Sequence, residues 1–462
     1  MGGGYTIKAG FPQNNKANMS LESLEEITAG DCAWILSNAF LILTMQSGFG
    51  LLEAGFVSTK NIANIMVKNV VDVCLGGIAY WSFGYGFSFG HPSNWFCGYG
   101  NFFATESDPR RMGTFYTRYV FQFTFATAST TIVSGAIAER MKLSAYVMFS
   151  VMNTLVYVFP ASWAWHDYGF LNSLGFHDFA GACIVHLSGG ASALMGAYLL
   201  GPRLGRYEPD GKDTYPMSSA VTALTGTFML WWAWLAFNCG STFGIEDDKW
   251  KVAARAGINT LNGSIGGGLA GIALSLVISR GQVYDIGNII CGVLGGLVGV
   301  TAGCAVFQPF DSLIVGAMGG LIANLVNPLV DSFHIDDPVG AVGVHLGAAL
   351  WGTFCVGLFG HNDFDLLRGR TGLFYGGGVD QVLIQCAGIG VVGLWSIALT
   401  WVSFKIINLS IGLRVSPDHE WLGADRVEHS IRHATFAQKL EDAFMRMTKQ
   451  QKMDDVDKML QT

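Results

Sequence analysis

Long apolar runs, each about the length of a bilayer crossing, alternate with short polar stretches along most of this chain. A helix needs about 20 apolar residues to cross a bilayer. Eleven runs reach that length, near 32–55, 68–90, 114–138, 143–165, 178–201, 217–241, 252–278, 286–306, 311–330, 338–360 and 379–407. The polar remainder is an N-terminal segment (1–31), short loops and a charged tail (410–462). The pattern predicts an all-α polytopic membrane protein with eleven transmembrane helices and no sizeable soluble domain.

Composition agrees. Hydrophobic residues make up 51% of the 462 and charged residues 13%, where a soluble domain carries about 25% charged. The chain is too apolar and aromatic to be disordered. Its net charge of −7, with no basic cluster, excludes a nucleic-acid binder. The 61 glycines suit closely packed membrane helices. Nine cysteines show no spacing for a disulfide framework or zinc site. Most (Cys74, Cys183, Cys239, Cys291, Cys304, Cys355, Cys386) fall in apolar runs and read as small buried hydrophobes. No metal, cofactor or enzymatic activity is expected.

Lys and Arg in the loops set orientation. Seventeen lie on the side of the odd-numbered loops and the tail, and ten on the other. That places the N-terminus outside and the C-terminus in the cytoplasm, as an odd number of spans requires. The first 30 residues lack the apolar core of a signal peptide. Asn18 opens an Asn-Met-Ser sequon in the outer segment and is a candidate glycosylation site.

Ionisable residues inside spans are costly and suggest function. Four of them form a pattern. The fifth run carries Asp178, Gly181, Ala182, Val185, His186 and Leu187; the tenth carries Asp337, Gly340, Ala341, Val344, His345 and Leu346 at the same offsets. The copies are five spans apart, so their directions are opposed. This predicts a five-plus-five inverted repeat, 32–201 and 217–360, followed by an eleventh span at 379–407. Such repeats are a recurrent transporter architecture, with the substrate site near the midplane. Each His sits eight residues from its Asp, about 12 Å along a helix. A single membrane histidine serves equally well as a hydrogen bond between helices; the symmetric pair favours a shared site. With no further ligand at that depth, the pair makes a poor zinc site.

Aromatic residues fall on the same spans. Phe121 and Phe125, with Gln122 between them, share a face of the third. Trp234, Phe237 and Ser241 share a face of the sixth, and the fourth ends in Trp163-Ala164-Trp165. Alone, such stripes are common packing and interface features. Beside the histidines they suggest a cation route, because each aromatic face attracts a weakly hydrated cation by about 0.5–2 kcal/mol.

At these residues the chain resembles the Amt/Rh/MEP ammonium transporter family. The resemblance extends from Asp31-Cys-Ala-Trp34 to the tail and is most specific from Asp178 through His186 and Gly189-Gly190 to Gly201-Pro202-Arg203. Gly135-Ala136-Ile-Ala-Glu139-Arg140, Phe237 to Ser241 and Asp336-Asp337-Pro338 support it. The run Leu413 to Glu420, with Gly423, Asp425 and His429, is similar to the Amt branch. The resemblance implies an outer ammonium-recruitment site of Trp165, Phe125 and Ser241 supported by Asp178. It implies a phenyl gate of Phe125 and Phe237, a pore lined by His186, His345 and Trp234, and a homotrimer in the plasma membrane. Glu53, in the stretch Gly50 to Gly55 where many members have Tyr-Gly-Gly, leaves the inner end of the first span open, and Trp163 competes with Trp165 for the outer position.

Ammonium and potassium are similar in size, but only ammonium has a proton to lose. The expected mechanism recruits the cation, deprotonates it and conducts NH3, with methylammonium as a weaker substrate. Whether the proton returns outside or crosses separately stays open. The rival readings are an ammonium sensor reporting through its tail and an Rh-like NH3/CO2 channel. Residues 410–430 are expected to dock on basic loops such as Arg203, Arg206 and Lys212, across to a neighbouring subunit or within one, and 435–462 to be dispensable.

Overall fold

The computed structural model describes residues 27–208 and 215–433. Asn18, Lys212 and the stretch 435–462 lie outside the described residues. The chain forms long helices α1 (Ala29–Phe56), α2 (Thr59–Phe89), α3 (Pro109–Ala136), α4 (Leu143–Trp165), α5 (Ala182–Leu200), α6 (Ala220–Gly240), α7 (Lys249–Ile278), α8 (Ile286–Thr301), α9 (Pro309–Ser332), α10 (Val342–Phe359) and α11 (Asp380–Ser410). Among the described residues there is no β-strand beyond two isolated bridges. Nine of these helices are long and apolar enough to cross a membrane, and the protein is an integral membrane protein.

The other two depart from the expected run in opposite ways. α3 is 28 residues long but polar, because its buried side chains include Gln122, Thr124, Thr127, Thr130, Thr131 and Ser134. Several of these hydroxyls bond back to the helix's own carbonyls, Thr127 to Phe123 and Thr124 for example, which makes them tolerable away from water. α8 has only 16 residues. α2 begins at Thr59 rather than near 68, because Asn61, Asn64 and Lys68 hide its first turns from a hydropathy reading. Those polar residues are buried. Asn61 Nδ2 donates to Glu139 at 2.8 Å, and Asn64 Nδ2 donates to Glu428 at 2.5 Å.

Glycines set the closest helix contacts. A Cβ at Gly292 of α8 would lie 2.6 Å from the Gly267 carbonyl of α7. Only glycine lets these backbones approach so far, and close approach is what drives helix association in lipid. Cys183, Cys291, Cys304 and Cys355 are buried as expected. Cys74 and Cys386 are not: they lie exposed on outward helix faces, where a small apolar side chain suits lipid equally well.

One end of the bundle is tied by a buried ion network. Arg203 grips Asp336 through Nε and Nη2 (2.7 and 2.9 Å) and reaches Glu139 through Nη1 at 2.6 Å. Arg140 donates to the Asp336 and Gly201 carbonyls at 2.6 and 2.8 Å. Burial alone would raise the Asp336 carboxyl, but its bonds to Arg203 and the charges of Arg140 and Arg203 hold it down at about 2. A folded-state value below the unfolded one stabilises above roughly pH 4, and that contribution is lost as pH falls toward 2. Its size is about 2–3 kcal/mol for such a shift. The thermal midpoint of the detergent-solubilised protein should therefore fall between pH 6 and pH 3. Asp336→Asn should lower the midpoint at pH 6 and flatten this dependence; an unchanged pH profile in the variant would refute the assignment.

The tail docks on the same end, through α12 (Pro417–Leu422) and α13 (Ala424–His429). Asp425 accepts the backbone N–H groups of Ala63 and Asn64 at 3.0 and 2.7 Å. Glu428 accepts that of Leu143 at 2.9 Å, and Glu420 that of Leu204 at 2.8 Å. Asp425 and Glu428 thus satisfy orphan donors in the first turns of α2 and α4, acting as caps supplied from over 280 residues away along the chain. The expected partners were different. Arg203 and Arg206 pair with Glu139, Asp336 and Asp331, and Glu420 pairs with Arg414 within the tail. The loop arginines were already neutralised by nearer carboxylates, so the tail acids turned to free N–H groups.

Candidate functional site

The Asp178 carboxylate precedes α5 and closes its start. It accepts four N–H groups, from Gly181 and Ala182 on Oδ1 (3.0 and 2.8 Å) and from Cys183 and Ile184 on Oδ2 (both 2.9 Å). Gly181 has φ +96°, which turns the chain into the helix. Asp337 does the same for α10, accepting Gly340 and Val342 at 3.1 and 2.8 Å. The Asp and His of each copy are therefore not eight residues apart on one helix, because the Asp stands outside as its cap. α5 ends beside Arg203, which grips Asp336 at the start of α10, so the two helices run in opposite directions.

Between them His186 and His345 meet, with Nδ1 atoms 3.2 Å apart. Both rings are buried. Their planes stack at 22° with centroids 5.2 Å apart. Short turns widened to the i→i+5 hydrogen-bond pattern, Ala182–Leu187 and Val342–Gly347, carry both histidines; such widened turns often mark functional sites.

A column of rings continues from His186. Trp234 stacks on it at 4.7 Å and 17° and is fixed by its Nε1 bond to Thr301 at 2.8 Å. Phe237 lies 5.6 Å from His186, and Phe125 stacks on Phe237 at 4.0 Å and 10°. Beyond Phe125, Trp165 stands edge-on at 6.0 Å, and its Nε1 donates to the Asp178 carbonyl at 2.8 Å. Ser241 is buried next to Phe237, donating to that residue's carbonyl at 2.9 Å. Phe121 packs on Phe125 and on Phe243, each at 4.9 Å. Gln122 is buried with an unpartnered Oε1. Trp163 does not compete with Trp165: it packs on Phe96, Phe170 and Trp395, away from this column.

Three participants escaped the sequence. Phe49 covers His345 at 5.9 Å, Thr301 holds Trp234, and Phe243 closes over Phe121. Nothing in their local sequence separates them from ordinary membrane packing. Glu53 is buried on α1 and accepts from Ser134 and Asn69 at 2.5 and 2.8 Å, facing α2 and α3. Among the described residues no cluster of His, Cys, Asp and Glu could hold a metal ion.

Membrane-length helices, two opposed half-sites and a column of rings in place of a polar cleft define an integral membrane protein with a buried aromatic and histidine core. The comparisons narrow the class. Residues 33–434 match the model of the Ammonium Transporter Family, and the chain belongs to that family. A Caenorhabditis elegans protein bearing the name ammonium transporter 3 is 39% identical over 422 residues; the match covers 88% of this chain and 61% of that relative's length. Ammonium transporter Amt2 of Archaeoglobus fulgidus is 35% identical over 418 residues, covering 87% of each. Among solved structures, a sensor Amt protein superposes with a TM-score of 0.79 at 30% identity, covering 86% of this chain and 98% of its own. Candida albicans Mep2 gives 0.76 at 27%, covering 85% and 88%.

Proposed function

We propose that this protein transports ammonium: it recruits NH4+ at the outer end of the ring column, removes a proton and conducts NH3 past the two histidines. The observation that carries this reading is the continuous series Trp165, Phe125, Phe237, Trp234, His186 and His345. The π faces of Trp165 and Phe125 attract a cation, and the Ser241 oxygen keeps a lone pair for an N–H donor. Asp178 holds the backbone of this site; its oxygens are engaged by N–H groups and support it structurally.

Phe125 and Phe237, stacked at 4.0 Å, leave no passage between them, so a permeant must displace a ring. A dehydrated cation in such a channel is very costly. A neutral molecule with hydrogen-bonding capacity is not, and the imidazoles offer it partners. Potassium cannot shed its charge and is excluded. Eleven crossings, an outer N-terminus, a cytoplasmic tail, a plasma-membrane location and a homotrimer complete the reading. The solved sensor Amt relative favours a second one, in which the same fold reports ammonium through its tail.

Expression in cells lacking their own ammonium transporters tests the proposal. Radiolabelled methylammonium uptake should saturate and be competed by ammonium but not by potassium. His186→Ala and His345→Ala should each cut uptake by roughly tenfold or more, about 1.4 kcal/mol on the barrier, or else admit potassium. Wild-type flux and selectivity in both variants would reduce the histidines to packing residues.

A further inference from the structure

The loop between α6 and α7, residues 241–248, adds one more ring to the outer end of the column. From Phe125 the rings fork. Trp165 stands on one branch at 6.0 Å. Phe121 stands on the other at 4.9 Å, and Phe243 meets Phe121 at 4.9 Å and 60°. Phe243 lies two residues beyond Ser241, whose Oγ donates to the Phe237 carbonyl. Phe121 and Phe125 are almost wholly buried, whereas Phe243 is half-buried. Phe243 is therefore the ring of this branch that meets the outer water.

Its backbone is held where a bulky residue rarely sits. Phe243 has φ +50°, in the left-handed region. Three tethers fix that conformation. The Phe243 N–H donates to the Gly240 carbonyl at 3.0 Å. Thr242 Oγ1 accepts the Trp34 indole N–H at 3.2 Å and lies 2.7 Å from the Gly244 carbonyl. Asp31, buried at the start of α1, accepts the N–H groups of Ile245 and Glu246 on Oδ1 at 2.7 and 2.9 Å. Its Oδ2 accepts the Lys249 ammonium at 2.6 Å. Strained positions that their surroundings over-determine cluster at ligand clamps. A glycine or asparagine would make the same turn with less strain, so the turn alone does not call for a ring.

We propose that Phe243 is a specificity-determining residue: its ring, fixed over Phe121, walls the outer site so that it fits NH4+ and turns away larger alkylammonium ions. The proposal rests on the ammonium reading, which puts the cation between Trp165, Phe125 and Ser241. Charge and π attraction separate ammonium poorly from its alkyl derivatives, since each carries one positive charge and N–H donors. Bulk does separate them. One methylene too many in a close-fitting site costs about tenfold or more, provided that the wall does not yield. The tethers to Asp31, Trp34 and Gly240 supply that stiffness. Methylammonium, one carbon larger than ammonium, is then admitted poorly, and ethylammonium, one carbon larger again, is refused.

The test is radiolabelled methylammonium uptake by the full-length protein in cells lacking their own ammonium transporters, competed by unlabelled ammonium or unlabelled ethylammonium. The ratio of the two half-inhibiting concentrations reports discrimination at the outer site and does not depend on the amount of protein. Wild type should need at least about tenfold more ethylammonium than ammonium. Phe243→Gly suits φ +50°, so it keeps the turn while removing the ring, and it should lower this ratio roughly tenfold. Phe243→Ala should do the same; a shift confined to Phe243→Gly would trace to a loosened loop and overturn the proposal. Phe243→Leu keeps most of the bulk and should stay near the wild-type ratio; a shift as large as that of Phe243→Gly would overturn a role for bulk. An unchanged ratio in Phe243→Gly and Phe243→Ala would overturn the proposal and leave the transport reading standing. So would loss of uptake in all three variants with protein still in the membrane, which would make Phe243 a structural residue. A wild-type protein without saturable uptake competed by ammonium would overturn the transport reading itself.

Discussion

Asp178→Ala should abolish ammonium and methylammonium uptake, although the carboxylate is already engaged by backbone N–H groups. The carboxylate accepts four N–H groups at the start of α5. Alanine strands all four away from water. Losing an ordinary N-cap costs about 0.5–2 kcal/mol, and each charge-assisted bond contributes about 1.5–3 kcal/mol. The loss falls on the turn that carries His186 and on the backbone carbonyl that orients Trp165. Trp165 and the histidine pair should thus be displaced together. Asp178→Glu keeps the charge and should retain some transport. Uptake normalised to the amount of protein in the membrane measures this. Normal uptake by a folded alanine variant would show that the cap is not needed.

The second large effect is expected at the tail. Truncation after residue 409 removes the acceptors for Ala63, Asn64, Leu143 and Leu204, and uptake should be lost; truncation after residue 433 keeps every contact described here, and uptake should persist. Gly423→Asp should inhibit even in the intact chain. Gly423 has φ +87°, and a Cβ there would lie 2.5 Å from Lys60 Cβ and 2.6 Å from the Lys60 carbonyl oxygen. The side chain must therefore push α13 off α2. Equal uptake from both truncations would show that docking does not control conduction.

The repeated Asp-to-His pattern made α5 and α10 and their opposed directions readable, because the offsets match residue for residue. What it concealed was the role of the Asp, since a carboxylate inside a helix and one capping it look the same along a sequence. Hydropathy located most helices but missed the first turns of α2, where Asn61, Asn64 and Lys68 are polar yet buried by partners distant in the chain. It also overlooked the reason for Glu53. That residue looked like an anomaly at the end of a span, and only the packing of α1 on α2 and α3 supplies Ser134 and Asn69 as its partners. Phe49 and Thr301 were illegible for a related reason: each is ordinary in its own helix and acquires meaning from the ring it touches.

The contact between His186 and His345 has a consequence for direction. With Nδ1 atoms 3.2 Å apart, the neutral form of the pair has one Nδ1 that carries the hydrogen and another that receives it. A neutral imidazole has only one N–H. The ring that donates through Nδ1 therefore presents a bare Nε2, and its neighbour presents Nε2–H. A molecule passing the pair meets an acceptor and then a donor, or a donor and then an acceptor, and never two alike. Sliding the shared hydrogen across and moving one at each Nε2 reverses the order. The pair is a two-position arrow that the chain can hold but does not aim.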